Sequence, residues 1–528
     1  MRKEMAQFYT QPCFSYNYNI KYIMVGIDGM QYFSGLIGIA CILGFAYLAS
    51  NNKKAINWRL IISGLCLQWI LALFILTVPA GQVLFQTVGQ GIEKLLSFSD
   101  LGGGFVFGPL VSKTDKMVEL FGPPGAFIFA FKLVPTIIFV ATLVSIAYHI
   151  GLMQRVVQVV AWAVSKIMGA SGAEALSNAA SIFVGQVEAQ LLIKPYVPTM
   201  TRSELLAIMS GSMACIAGGV MAVYIKMGVP AEYLLTASLM AAPGALVISK
   251  LVYPETEQSL TQGKVQVTVE NQSVNIIDAA AHGAADGLKI GLNVCAMLIG
   301  FIALMGLIDF VIGKMGLALA ATGLELNIGG ITLENLTLKG ILGTLFYWVA
   351  LAVGVPVQDA QAVGSLMGTK MVINEFVAYA DLTPMIQKGL LEEKSIAIAS
   401  FALCGFANFS SIAMQIGGIG ELAPTRKGDL AKLGLSALFC GTAASYVSSA
   451  IAGILIPLQG AEADQTSIAQ WLPFAAIVGL IAVIILSNRL GSETSENQSA
   501  SPRSLPPDEE MRQRDSKEAN QDKPLSML

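Results

Sequence analysis

The sequence predicts an all-α polytopic membrane protein: an inverted repeat with two re-entrant helical hairpins among about eight to nine transmembrane helices. Three observations lead there. Of 528 residues, 54% are hydrophobic and 13% charged, with mean hydropathy +0.65. Soluble domains carry about 25% charge. Several apolar runs reach the roughly 20 residues a helix needs to cross a bilayer. Finally, two stretches interrupt this pattern in the same way, each placing a glutamate inside otherwise apolar sequence.

Taken in order, residues 1–29 form a mixed, polar N-terminal extension with no apolar h-region or cleavage site, so Met24 and Met30 are candidate starts. Residues 30–150 hold scaffold helices, with spans at 31–50, 58–84 and 125–150 and an external loop at 86–124. Residues 151–275 form a first repeat: a hairpin at 172–200, then spans at 204–226 and 231–250. Connecting and scaffold helices fill 276–357, with a span at 291–313. Residues 358–457 form a second repeat: a hairpin at 358–385, then spans at 395–417 and 433–457. Residues 471–488 read as an additional span, and the polar, Pro- and Ser-containing 489–528 as a disordered tail.

Charge sets the expected orientation. "NNKKAINWR" (51–59) and "PTRKGDLAK" (424–432) fall on one side and the acidic "GAEADQ" (460–465) on the other, so the basic loops are placed in the cytoplasm. The alternation closes only if 172–200 and 358–385 each enter and leave on the same side. Such backbone is tolerated at membrane depth where protein or a wet cavity satisfies it. The span after each hairpin also has a soft centre: Ala217, Gly218 and Gly219 in the first, Gly405, Asn408, Ser410 and Ser411 in the second.

The polar residues carry the functional expectation. A carboxylate at the bilayer centre costs on the order of 2.5–3.5 kcal/mol. Here Glu188 and Glu375 occupy matching places in two repeats, each near an amide, Gln186 and Asn374. Lys194 and Lys370 are the bland alternative, positioned to neutralise them. Asn408, Ser410 and Ser411 are helix–helix glue if taken alone. Together with the carboxylates they suit a ligand rich in hydroxyls and ring nitrogens, with Phe406 offering an aromatic face.

Other classes find less support. A net charge of −3 gives no basic excess for nucleic acid, the seven cysteines are scattered without a CxxC pair, and His149 and His282 lie far apart with no HExxH. A membrane-embedded enzyme using the paired glutamates as acid and base would need a GxGD, HExxH or Ser-His arrangement, and none is present.

"VGQVEAQLLIKPY", "GTKMVINEFVAY", "CGFANFSSIAMQIGG" and "NNKKAINWR" together resemble the concentrative nucleoside transporters, over about residues 30 to 457. The resemblance implies a bacterial cation-coupled nucleoside symporter, multi-pass in the inner (cytoplasmic) membrane. It also implies eight spanning helices, a homotrimer with one pathway per protomer, and a mobile unit working against a fixed scaffold in the lipid bilayer. Carried over by motif, the base-contacting triplet falls on Gln186, Val187 and Glu188, with Val187 in place of the family's hydroxyl residue. The ribose partners fall on Glu375, Asn408 and Ser411; Phe406 lines the pocket and Val220 packs near the base. A Na+ site falls on Ser181, Val184, Cys215 and Ile216, where Ser181 replaces an Asn and Cys215 a Ser. Sulfur is a poor ligand for a hard cation, so Na+ and H+ both stand as coupling ions. The loss at Val187 leaves free nucleobases or another small polar metabolite as the alternative substrate.

Overall fold

The computed structural model describes residues 30–112, 128–261, 273–323, 327–328 and 331–456; the expected N-terminal extension, the additional span at 471–488 and the polar tail lie outside them. Helix starts follow capping chemistry. Ser171 with Glu174, and Thr201 with Glu204, form capping boxes, while Asn57, Asn275, Thr337, Asn374 and Asn408 each accept a backbone N–H two or three residues into the helix they open.

The first helices are α1 (Met30–Leu48) and α2 (Trp58–Leu76). The expected span at 58–84 stops at Leu76. The Thr77 hydroxyl and N–H both bond the Leu73 carbonyl, and Pro79 opens a separate helix, α3 (Pro79–Ser97). Together α3 and α4 (Ser99–Phe107) put helix where an external loop is expected. They bury few residues and expose Val83, Leu84, Leu101 and Phe105, the pattern of helices lying along an interface. Next come α5 (Phe129–His149) and α6 (Leu152–Met168); α6 turns Val157, Ala161, Val164 and Met168 inward at helical spacing.

The first repeat follows. Helix α7 (Gly172–Ser181) is the regular arm of a hairpin, and a turn at 182–187 leads to the one-turn α8 (Glu188–Leu191). Pro195 and Pro198 deny the returning arm the N–H groups that a longer helix needs. The next span is broken, as the sequence indicates: α9 (Arg202–Ala214) and α10 (Gly218–Met227) are separated by an extended Cys215–Ala217. Helix α11 (Ala231–Val252) completes the set.

Helix α12 (Ile276–Ala320) has 45 residues. At 1.5 Å per residue it is roughly 67 Å long, about twice the hydrocarbon thickness, so the expected span at 291–313 is only its middle. It packs on α5 through Gly283, Gly287 and Gly291. A Cβ at the first two would sit 2.7 Å from the Ala141 carbonyl and 2.6 Å from the Ile138 Cα, so small residues are what let these backbones meet.

After a two-residue antiparallel pairing of Asn327–Ile328 with Ile331–Thr332 and a short apolar α13 (Leu338–Ala352), the second repeat begins. Its hairpin has two full arms, α14 (Ala360–Val372) and α15 (Glu375–Gln387). Its broken span is α16 (Glu393–Leu403) and α17 (Phe409–Leu422), and α18 (Lys427–Leu455) completes it. Hairpin, broken span, long helix: the order occurs twice. The breaks touch, because Gly405, at φ +125°, lies so close that a Cβ there would be 2.6 Å from the Ala214 carbonyl. Only glycine suits both that φ and that approach. Among the described residues, six helical segments are long and apolar enough to cross a membrane.

Candidate functional site

The helix breaks and hairpin tips bring polar groups together. Asn408, the N-cap of α17, uses its Oδ1 to accept from the Ser411 N–H at 2.9 Å and from the Ser410 hydroxyl at 2.7 Å. Its Nδ2 is thereby turned outward and donates to Glu375 Oε2 at 3.0 Å. Glu375 is only 3% exposed and sits at the first position of α15, where the helix N-terminus favours a carboxylate. Asn374 caps that helix by accepting from Val377 N–H at 3.0 Å.

From the other hairpin, the Gln186 Nε2 donates to the Ser411 hydroxyl at 3.5 Å. Gln186, Ser411, Asn408 and Glu375 are thus a continuous polar chain from one hairpin to the other through the broken helix. Val187 lies against α17, where a Cβ on Gly418 would meet its Cγ1 at 2.4 Å. Val220 is buried, while Phe406, Ala217, Gly218 and Gly219 are partly open, so the polar chain has an accessible edge.

Glu188 behaves differently from its sequence setting. It is exposed on the one-turn α8, with its carboxylate folded over Gly185, whereas apolar neighbours imply burial. Lys194 is exposed beside it, and Lys370 is buried and donates to the Ala402 carbonyl at 2.8 Å. Among the described residues neither Glu188 nor Glu375 forms an ion pair. Neither lysine therefore makes a direct ion pair with its expected glutamate, although the Lys370 charge still acts on Glu375 from nearby.

The four residues considered for a cation surround the junction of the first hairpin tip and the α9–α10 break, which the Gly218 N–H closes by donating to the Phe183 carbonyl at 3.0 Å. The Val184 and Ile216 carbonyls accept no hydrogen bond among the described residues. Ser181 donates to the Ser177 carbonyl at 2.9 Å and lies 3.2 Å from the Ser212 hydroxyl. Cys215 is buried with a free thiol.

Sequence reasoning missed the polar residues behind this layer. Gln190 accepts from Ser177 at 2.8 Å and donates to Ser212 at 2.5 Å, and Gln415 reaches Gln186 at 3.4 Å and the Met209 carbonyl at 3.1 Å. Gln415 was findable: it lies four residues after Ser411 and seven after Asn408, on one helical face.

Two broken helices crossing beside two hairpin tips, with amide, hydroxyl and carboxylate groups converging there, define a secondary transporter for a polar solute. Family sequence profiles described as Na+ dependent nucleoside transporter N-terminus and C-terminus match residues 37–110 and 233–453, and one described as a nucleoside recognition gate matches 130–231. The chain belongs to the Na+ dependent nucleoside transporter family. It is 41% identical over 436 residues to an uncharacterized transporter of Haemophilus influenzae, covering 82% of this chain and 100% of the relative. It is 39% identical over 428 residues to the nucleoside permease NupC of Helicobacter pylori (80% and 97%) and 36% identical over 445 to human sodium/nucleoside cotransporter 1 (82% and 65%). The fold matches CNTnw in an inward-facing substrate-bound state with TM-score 0.74 and 41% identity, over 80% of this chain and 98% of that one. CNTnw variants have also been solved in outward-facing and intermediate states. This chain is accordingly an integral membrane transporter working by alternating access, and not an enzyme.

Proposed function

We propose that this protein imports nucleosides across the bacterial inner membrane by cation symport, holding the substrate along the polar chain that joins the two hairpins. The observation that carries this reading is the buried Glu375–Asn408 pair, capped at both helix starts and linked through Ser411 to Gln186. A carboxylate acceptor beside an amide donor matches vicinal ribose hydroxyls, each of which donates and accepts. Gln186 and Glu188 supply polar contacts to the base, Val187 and Val220 supply apolar ones, and the Phe406 ring covers a planar face.

Sodium coupling accords with family membership. The ion is assigned to the Val184 and Ile216 carbonyls and the Ser181 hydroxyl, with Cys215 at the fourth position. Because that site is where the first hairpin tip closes on the α9–α10 break, ion and substrate favour the same closed arrangement and raise each other's affinity. Proton coupling is the second reading, favoured by the sulfur of Cys215 where a hard cation wants oxygen. Trimer assembly rests on the family resemblance; the exposed Leu292, Ile299, Ile302 and Phe310 of α12 are free to meet lipid or neighbouring copies.

Uptake of radiolabelled uridine into proteoliposomes, with Na+ and pH gradients imposed separately, tests the coupling, and competition by uracil tests the substrate. Free bases competing as well as nucleosides would overturn the nucleoside reading. With Na+ as driver, Cys215→Ser lowers the Na+ concentration for half-maximal uptake severalfold. An unchanged value removes Cys215 from the ion site.

A further inference from the structure

Resting on the nucleoside reading above, we infer that Gln415 is a positioning residue that fixes which end of the Gln186 amide faces the substrate, and thereby selects bases presenting a hydrogen-bond acceptor there. Gln415 is fully buried on α17 and in contact with Gln186, which is 8% exposed. Its Nε2 has two acceptors: the Met209 carbonyl on α9 at 3.1 Å and Gln186 Oε1 at 3.4 Å. A backbone carbonyl only accepts. The Met209 carbonyl therefore dictates that the Gln415 side chain presents NH2, since the reversed amide would set oxygen against oxygen.

The consequence passes along the row. With Gln415 NH2 as its neighbour, Gln186 must turn its oxygen toward Gln415 and its own NH2 away. That NH2 meets the Ser411 hydroxyl at 3.5 Å and the Met414 sulfur at 3.6 Å, both able to accept. The arrangement carries a cost: Gln415 Oε1 is buried with no hydrogen-bond partner among the described residues. An apolar residue of this size would fill the space without that cost.

When a base enters, the Gln186 NH2 exchanges its long 3.6 Å contact with the Met414 sulfur for an acceptor on the base, while its neighbour Val187 presents only methyl groups. A base with a carbonyl at the facing position is accepted, and one with an amino group there meets donor against donor. Sites built on such hydrogen bonds discriminate well because a mismatch leaves buried polar groups unpaired.

Pairs of nucleosides differing at one exocyclic group provide the test: uridine against cytidine, and inosine against adenosine. The quantity read is the ratio of KM values within a single protein, which is insensitive to how much of that protein is folded. The native protein is expected to favour the carbonyl member of at least one pair by about fivefold or more. Gln415→Leu, which leaves Gln186 free to turn, is expected to bring that ratio within twofold of one. Gln415→Glu offers Gln186 an oxygen whether ionised or protonated toward Met209, so it is expected to invert the preference. The inference is overturned if Gln415→Leu retains the native ratio, or if the native protein favours the amino member in both pairs. Should the Glu variant fail to fold, the Leu variant still decides. A native protein that takes up none of the four nucleosides sinks the nucleoside reading itself, a result distinguishable from either outcome above.

Discussion

The two hairpins occupy equivalent places in a repeated plan, yet they are built and anchored differently. The second has two arms of 13 residues each, and its glutamate, Glu375, is buried, capped and hydrogen-bonded. The first has one arm of 10 residues and a return of 4, and its glutamate, Glu188, is exposed. Anchoring runs the other way. At the base of the first hairpin Glu174 pairs with Lys250 at 2.8 Å, with side-chain exposures of 3% and 5%. Lys250 also reaches Ser203 and Glu255 at 3.0 and 3.3 Å. At the second, Asp381 pairs with Lys339 at 2.7 Å, with exposures of 28% and 38%. The difference teaches a division of labour. The second hairpin has a buried, hydrogen-bonded tip, a preformed half-site in the reading proposed above, and the ion pair on its returning arm is partly open to solvent. The first is pinned at its base by a buried ion pair and open at its tip, where Glu188 meets solvent.

The largest effect expected from this contrast is at Lys250. Lys250→Met removes the cation from a buried pair and leaves Glu174 uncompensated, a loss of about 3–5 kcal/mol in stability. It is read as a fall in melting temperature of the detergent-solubilised protein. The double variant Lys250→Met with Glu174→Gln is expected to recover most of the loss. Equal destabilisation in single and double variants would mean that Lys250 acts through Ser203 or Glu255 instead.

Next is the tip. Glu375→Gln keeps the shape and helix start but exchanges a carboxylate acceptor for an amide at a site that is already built, so uridine uptake is expected to fall about 100-fold, with expression and assembly retained. Glu188→Gln, on the short return arm and in contact with solvent, is expected to cost about tenfold, mainly in KM. A larger loss at Glu188 than at Glu375 would reverse the assignment of the preformed half.

The same contrast explains what the sequence reveals. Hairpins and broken spans are legible because they violate a pattern: a glutamate and an amide inside apolar runs, with Gly218, Gly219 and Gly405 where a helix would otherwise continue. The Asn408–Ser411 cluster is legible as polar side chains at helical spacing. The exposure of Glu188 is not, because apolar neighbours fix composition and not the direction in which a side chain points. Helices α3 and α6 escape notice because their apolar residues recur at helical intervals within mixed sequence, which an average over a spanning-length window erases. At 15 residues, α13 is shorter than that window. The full length of α12 is hidden by its ends, where His282, Asp286 and Lys289 look like loop but continue the helix.

The smallest effect completes the comparison. Lys339 bridges α13 to the second hairpin through both Asp381 oxygens, at 2.7 and 2.8 Å, a geometry that looks strong on paper. Both partners retain solvent, so the charges regain hydration when separated, and pairs of this kind contribute about 0–1 kcal/mol. Lys339→Met is therefore expected to shift stability by no more than that and to leave uridine KM within twofold. The hairpin would still be held by its close seam with α13, where a Cβ on Gly368 would lie 2.7 Å from Leu342 Cβ. A loss matching that of Lys250→Met would show that the second hairpin is also pinned through its base by charge. The two halves would then be anchored alike, and the exposure of the first tip could no longer be traced to where each hairpin is held.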